Sequence, residues 1–162
     1  MAKNTKEGAQ QTEAAIYQTI IDIFMEQGWD AVTYGSIAKR TGLSRSGIQR
    51  VVPTKESMTG AFQGQVFHYV VGLIDSTSHQ TIKSTWCAAL QEAKFIHCIK
   101  YFLGATGADS SGKEKAAAAL EKLFDLYGQS IVIELLGLSV AHLLEVNVDW
   151  NESPSGLNKE EG

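Results

Sequence analysis

The stretch RTGLSRSGIQR, Arg40 to Arg50, holds all three arginines of a chain whose net charge is −4. Its punctuation is that of two short helices joined by a tight turn. Gly42 supplies a left-handed stop for the helix before it. Ser44 can accept from the backbone N–H groups that open the helix after it. Leu43 precedes that cap and pairs with Ile48, five positions on, as a hydrophobic staple. The same device occurs upstream, where Val32 precedes Thr33 and pairs with Ile37, and more loosely downstream, where Pro53 precedes Thr54 and pairs with Met58. Three helices are therefore expected to begin at about Tyr34, Arg45 and Lys55. The connection TGLS is a short glycine-bearing turn of the helix-turn-helix kind.

Working outward, an earlier helix is expected from Glu13, capped by Thr12, with apolar residues Ile16, Ile20, Ile23 and Phe24 at helical rather than alternating spacing. Gly28 ends it. The helix from Lys55 reads as long, because Met58, Phe62, Val66, Tyr69, Val70, Leu73 and Ile74 keep helical spacing. Gly60, Gly64 and Gly72 lie inside it, each costing about 1 kcal/mol against alanine. Asp75 to Thr81 reads as a connection. A further helix is expected from about Ile82 to Leu103, then a loop, then a helix opened by the capping-box pattern Ser111 to Glu114. Gly128 stops that helix. Ser130 starts the last one, which is expected to end near Val148. Strand signals are absent, so the fold class is all-α.

Composition bounds the rest. At 162 residues and 44% apolar content, the chain is long enough for one domain with a real core. The N-terminus is polar with no apolar h-region, so a cytoplasmic protein is the natural expectation. The longest apolar run, Ile131 to Val148, is interrupted by Glu134, His142 and Glu145 and reads as a buried helix, with no membrane span. Cys87 and Cys98 fall on one expected helix, about 16 Å apart at 1.5 Å rise per residue, too far for a disulfide, so both are expected as free thiols. His68, His97 and His142 are isolated and show no paired ligand spacing, so neither a metal nor a cofactor is expected.

Charge is unevenly spread. Residues 1–60 carry a net charge of +1 and residues 61–162 a net charge of −5. Between Ala31 and Lys55 there are five basic residues, Lys39, Arg40, Arg45, Arg50 and Lys55, and no acidic one. Such a segment on an acidic body suggests a polyanion-binding face. On the Arg45 helix, Ile48 with Val51 or Val52 would point inward, leaving Arg45, Ser46, Gln49 and Arg50 outside. Arginine can grip guanine O6 and N7 with two hydrogen bonds, and glutamine can do the same to adenine N6 and N7. Ser44 and the capped N-terminus can donate to phosphate. Lys39 and Arg40, at the end of the preceding helix, suit the flanking backbone.

Residues 14–62 resemble the N-terminal DNA-binding domain of TetR-type transcriptional regulators. The likeness is carried in order by Phe24, Gly28, Thr33, Ile37-Ala38, Gly42-Leu43-Ser44, Gly47-Ile48, Lys55-Glu56 and Met58, about a third of the chain. The run Ser44 to Ile48 is also similar to the short LuxT-like branch. The resemblance implies a helix-turn-helix DNA-binding domain over 12–56 and a small helical regulatory and dimerisation domain over 57–148; the tail over 149–162, polar with proline and glycine, is expected to be disordered. The resemblance also implies phosphate contacts from Thr33, Tyr34 and Lys55. It further implies a homodimer formed through the last two helices, and a repressor acting on a near-palindromic operator in double-stranded DNA. A pocket for a small-molecule effector would involve Phe62, Phe67, Tyr69, Trp86, Phe95 and Phe102. Two positions depart from the family pattern. Gln49 stands where an aromatic residue, commonly tyrosine, is usual, which removes a phosphate contact. Val52 stands where phenylalanine is usual, which thins the packing beneath the reader helix. These departures keep open an alternative: a protein of the same fold that has lost DNA binding and acts through small-molecule or protein contacts.

An enzyme is not expected. The dinucleotide glycine fingerprint, phosphate loop, HExxH and CxxC are all missing. GLSRSG misses the nucleophile-elbow spacing by one residue and follows no strand. In the last helix Gly137 and Ala141, four apart, could admit a partner backbone or pack within one subunit.

Overall fold

The computed structural model describes residues 6–62 and 64–149. The expected C-terminal tail lies, apart from Asp149, outside the described residues. The described residues are helical with no strand, an all-α fold. Eight α-helices follow in order: α1 Lys6–Gln27, α2 Tyr34–Thr41, α3 Arg45–Val51, α4 Gln65–Gly72, α5 His79–Ala89, α6 Ala93–Gly104, α7 Ser110–Tyr127 and α8 Gln129–Leu143. Short 3-10 segments cover Trp29–Ala31, Glu56–Phe62 and Ala105–Gly107.

Helix α1 packs on α2, on the Glu56–Phe62 segment and on α6, using the buried stripe Ile16, Ile20, Ile23 and Phe24. It begins earlier than Thr12 foretells. Thr12 sits inside the helix, its hydroxyl donating to the Gly8 carbonyl at 2.9 Å. Gly28 ends it at φ 90, and a β-carbon there would lie 3.0 Å from Nδ1 of His97 on α6. Backbone conformation and close approach thus both call for glycine at this point.

Two expected long helices are broken. The helix expected from Lys55 is a 3-10 segment, Glu56–Phe62, followed by α4, with Gly64 left-handed at φ 81 between them. The glycine that spacing places inside a helix is instead its N-cap. The helix expected from Ile82 to Leu103 is α5 and α6, with extended backbone at Glu92. The cause is long-range. Trp86 and Phe95 are nine residues apart, which on one straight helix would set them about 180° apart around the axis. The break lets both face the core, where their rings meet edge to face at 5.1 Å. Trp86 Nε1–H donates to buried Ser139 Oγ at 2.9 Å, and Ser139 in turn donates to the Leu135 carbonyl at 2.8 Å. Cys87 and Cys98 therefore lie on different helices, both as free thiols.

Helix α7 is capped by Asp109, whose carboxylate accepts from Gly112 N–H at 2.9 Å, rather than by Ser111. Helix α8 stops short of Val148. Glu145 adopts φ 57, and Val146 N–H returns to the Ala141 carbonyl at 2.9 Å while Glu145 N–H reaches that of His142 at 3.0 Å. This pattern closes the helix end as a Schellman turn, with glutamate where glycine is usual.

One ring cluster ties the first helices to the later ones. Phe24, Trp29, Phe62 and Tyr101 are mutually in contact, with centroids from 4.8 Å for Phe24–Phe62 to 6.4 Å for Phe24–Trp29. Such pairs contribute about 0.5–1.5 kcal/mol each beyond their area.

Candidate nucleic-acid interface

The two helices around the turn are built by local chemistry. Thr33 caps α2, its hydroxyl accepting from Ser36 N–H at 3.0 Å, while Thr33 N–H donates back to Ser36 Oγ at 3.0 Å. Gly42 closes α2 at φ 72 and returns its N–H to the Ala38 carbonyl at 2.9 Å. Ser44 caps α3 by accepting from Gly47 N–H at 3.1 Å. Ile37, Ile48 and Val52 are fully buried between the helices. Val52, the smaller residue at the phenylalanine position, also offers its carbonyl to the Tyr34 hydroxyl at 2.7 Å. That bond clamps the end of α3 to the start of α2.

Of the residues singled out from sequence, Thr33, Lys39, Ser44, Arg45, Ser46, Gln49 and Arg50 are exposed. Arg45, Ser46, Gln49 and Arg50 share the outer side of α3. Arg40 is engaged elsewhere: its guanidinium meets Glu26 at 2.6 Å, which lowers the glutamate pKa and raises that of the arginine. Two residues have partners inside the fold that sequence reasoning did not foresee. The Tyr34 hydroxyl donates its one hydrogen to Val52. Lys55 donates to the carbonyls of Trp29 and Val32 and lies over the Trp29 ring. Burial pushes its pKa down, against the pull of Asp30 and Glu56. Trp29 was the missed partner, and its place directly after the Gly28 stop was the one signal for it.

A groove of about 1000 Å³ opens between the first helices and α6 and α7. Phe62, Phe67, Trp86 and Phe102 contribute to its wall, as do Trp29, Lys55 and Tyr101. Tyr69 and Phe95 do not line it. Phe95 is spent on the core against Trp86, and Tyr69 is half-buried, with its phenol pKa raised by burial and by the nearby Cys98 and Glu92. Among the described residues, no three His, Cys, Asp or Glu side chains gather as a metal site would need.

The last two helices pack on each other and leave apolar side chains outside. Leu126 is 55% exposed, Ile133 55%, Val140 40% and Leu144 70%. With Gly137, Ile133 and Val140 of α8 and Leu144 at its C-cap recur at steps of four, three and four, a single stripe along the helix. A β-carbon at Gly137 would meet nothing within 4 Å, so this glycine is not explained by packing within the subunit. No single helix of the described residues is long and apolar enough to cross a membrane.

A family model described as the tetracycline repressor LuxT C-terminal domain matches residues 63–143, half of the chain. No curated protein matches it.

Proposed function

Since the chain belongs to the TetR-type transcriptional regulators, through the LuxT C-terminal domain it carries, we propose that it binds a specific DNA sequence as a homodimer and acts as a repressor. The observation that carries this reading is the outer side of α3. It is capped, buttressed from beneath by Ile48 and Val52, and presents Arg45, Ser46, Gln49 and Arg50 with no carboxylate between Ala31 and Lys55. A helix so presented suits the major groove. Residues 12–56 form the reader in this reading, and residues 57–148 the regulatory and pairing part.

The exposed stripe Ile133, Gly137, Val140 and Leu144, and the exposed Leu126 of α7, support pairing through α7 and α8. A two-fold pair would set its reader helices about 34–36 Å apart, one turn of DNA, and so favours a near-palindromic operator. The groove bordered by Phe62, Phe67, Trp86 and Phe102 falls in the size range of small-molecule sites, about 300–1,000 Å³. Because Trp29 and Lys55 also border it, an effector lodged there would touch the reader part directly.

Selection of bound fragments from random DNA by the purified chain tests the reading. An enriched near-palindrome with half-sites one helical turn apart is expected. Recovery of no enriched sequence would favour the alternative, a regulator of this fold that works through protein or small-molecule contacts alone.

A further inference from the structure

The first turn of α2 carries a glycine for which the backbone has no need. Gly35 is not among the left-handed glycines Gly28, Gly42, Gly64 and Gly128, and within a helix glycine is the least favourable ordinary choice after proline. What the site offers is a close approach that a side chain would tighten. A β-carbon at Gly35 would lie 3.3 Å from Nη2 of Arg45, 3.9 Å from its Cζ and 3.7 Å from Oγ1 of Thr33. The Arg45 guanidinium therefore rests over the bare backbone of α2. Arg45 is the first residue of α3, so its side chain bridges the start of α3 and the first turn of α2.

Among the described residues, no ion pair holds the Arg45 guanidinium at that place. The N-terminal end of a helix is positive. The ion pairs among the described residues, Arg40–Glu26 and Lys83–Glu134, leave Arg45 out, and the nearest carboxylates in sequence lie beyond Ala31 and Lys55. The bare backbone at Gly35 permits the arrangement sterically, and it leaves the guanidinium's donors free of any ion pair among the described residues. We infer that Gly35 is a positioning residue for Arg45: by leaving the first turn of α2 bare, it directs the guanidinium to the α2 side of the reader helix and so fixes which base pair of the half-site Arg45 addresses. The inference rests on the DNA-binding reading above.

The test is a double-mutant cycle in the full chain, using Gly35→Ala, Arg45→Ala and the combination. Each protein is titrated with the operator recovered from selection and with operators altered one base pair at a time, and its melting temperature is recorded. Arg45→Ala is expected to weaken operator binding roughly 5- to 150-fold and to relax preference at one position. Gly35→Ala is expected to weaken binding and relax preference at that same position, to have no effect in the Arg45→Ala background, and to melt at or above the parent temperature. An equal effect of Gly35→Ala in both backgrounds, or an unchanged base preference in the parent background, would overturn the assignment. If an operator is recovered but Arg45→Ala leaves its preferences intact, DNA recognition stands and this inference falls. If no sequence is enriched, the DNA-binding reading fails first and takes the inference with it.

Discussion

The Lys55 ammonium sits 4.3 Å from the centroid of the Trp29 ring and donates to the carbonyl oxygens of Trp29, at 2.8 Å, and Val32. The lysine thereby fastens the start of the Glu56–Phe62 segment to the chain between α1 and α2. Trp29 in turn packs on Phe62 and Tyr101 at 5.7 and 5.2 Å, which carries the link on to α6. Two of the three ammonium donors are spent inside the protein, leaving one for anything outside.

Replacing Lys55 with methionine keeps the stem and deletes these bonds. A charged hydrogen bond contributes about 1.5–3 kcal/mol and a cation–π contact at a partly exposed site about 0.5–1 kcal/mol. Partial exposure discounts both, so a loss of about 1–3 kcal/mol is expected in urea unfolding. The salt slope of DNA binding should change by less than the full unit that a dedicated phosphate contact would give. A full-unit drop with unchanged stability would show that the ammonium swings out to DNA.

Arg50 and Lys39 separate two kinds of contact. Arg50, on the exposed side of α3, is expected to lose about 1–3 kcal/mol on the selected operator when changed to alanine, with little change on random DNA. Lys39, exposed in the last turn of α2, should weaken every sequence alike and flatten the log–log salt dependence by about 0.9. Fluorescence titrations with operator and random duplexes across a salt series read both effects. Equal losses on both DNAs for Arg50→Ala would move Arg50 from base edge to backbone.

The contrast between α2–α3 and the later helices shows which features were legible in the sequence. Thr33, Gly42 and Ser44 each close or open a helix by bonding within four residues, so the boundaries at Tyr34 and Arg45 could be read locally. So could the burial of Ile37 and Ile48, and the exposure of Arg45, Ser46, Gln49 and Arg50. The break between α5 and α6 could not, because it is enforced by Trp86 meeting Phe95 and Ser139, a partner 53 residues away. The internal engagement of Lys55 was hidden for the same reason, its acceptors lying 26 and 23 residues upstream. At Gly64 the apolar spacing was helical on both sides, and only the glycine itself marked the left-handed joint.

Pairing through α8 makes a prediction at Val140. It lies mid-stripe and exposed in the single chain, so Val140→Asp should leave the fold and melting temperature of the subunit nearly intact. In a dimer it would bury an unpaired carboxylate, at a cost of several kcal/mol. Sedimentation equilibrium should then show a monomer, with operator affinity falling because the two reader helices no longer arrive together. Val140→Asp remaining dimeric would move the interface off this stripe.

The two thiols should part company under alkylation. Cys98 is buried, its Sγ 3.9 Å from the Met25 sulfur, and burial pushes its pKa up to about 12. Cys87 is only half-buried, and burial raises its pKa against the pull of Lys83. The thiolate is the reactive form, so at pH 8 iodoacetamide should modify Cys87 at least ~10-fold faster than Cys98, the latter reacting only as the chain opens. The sign for stability follows from the same shift. An ordinary thiol near 9.0 loses its proton in the unfolded chain while folded Cys98 keeps its own up to about 12. Its contribution is therefore complete below the ordinary value and is lost progressively as pH rises through that window. Cys98→Ala should flatten the alkaline fall in stability measured by urea unfolding at successive pH values, whereas Cys87→Ala should leave most of it in place. Equal labelling of both thiols in the folded protein would mean that α6 does not seal Cys98 against α1.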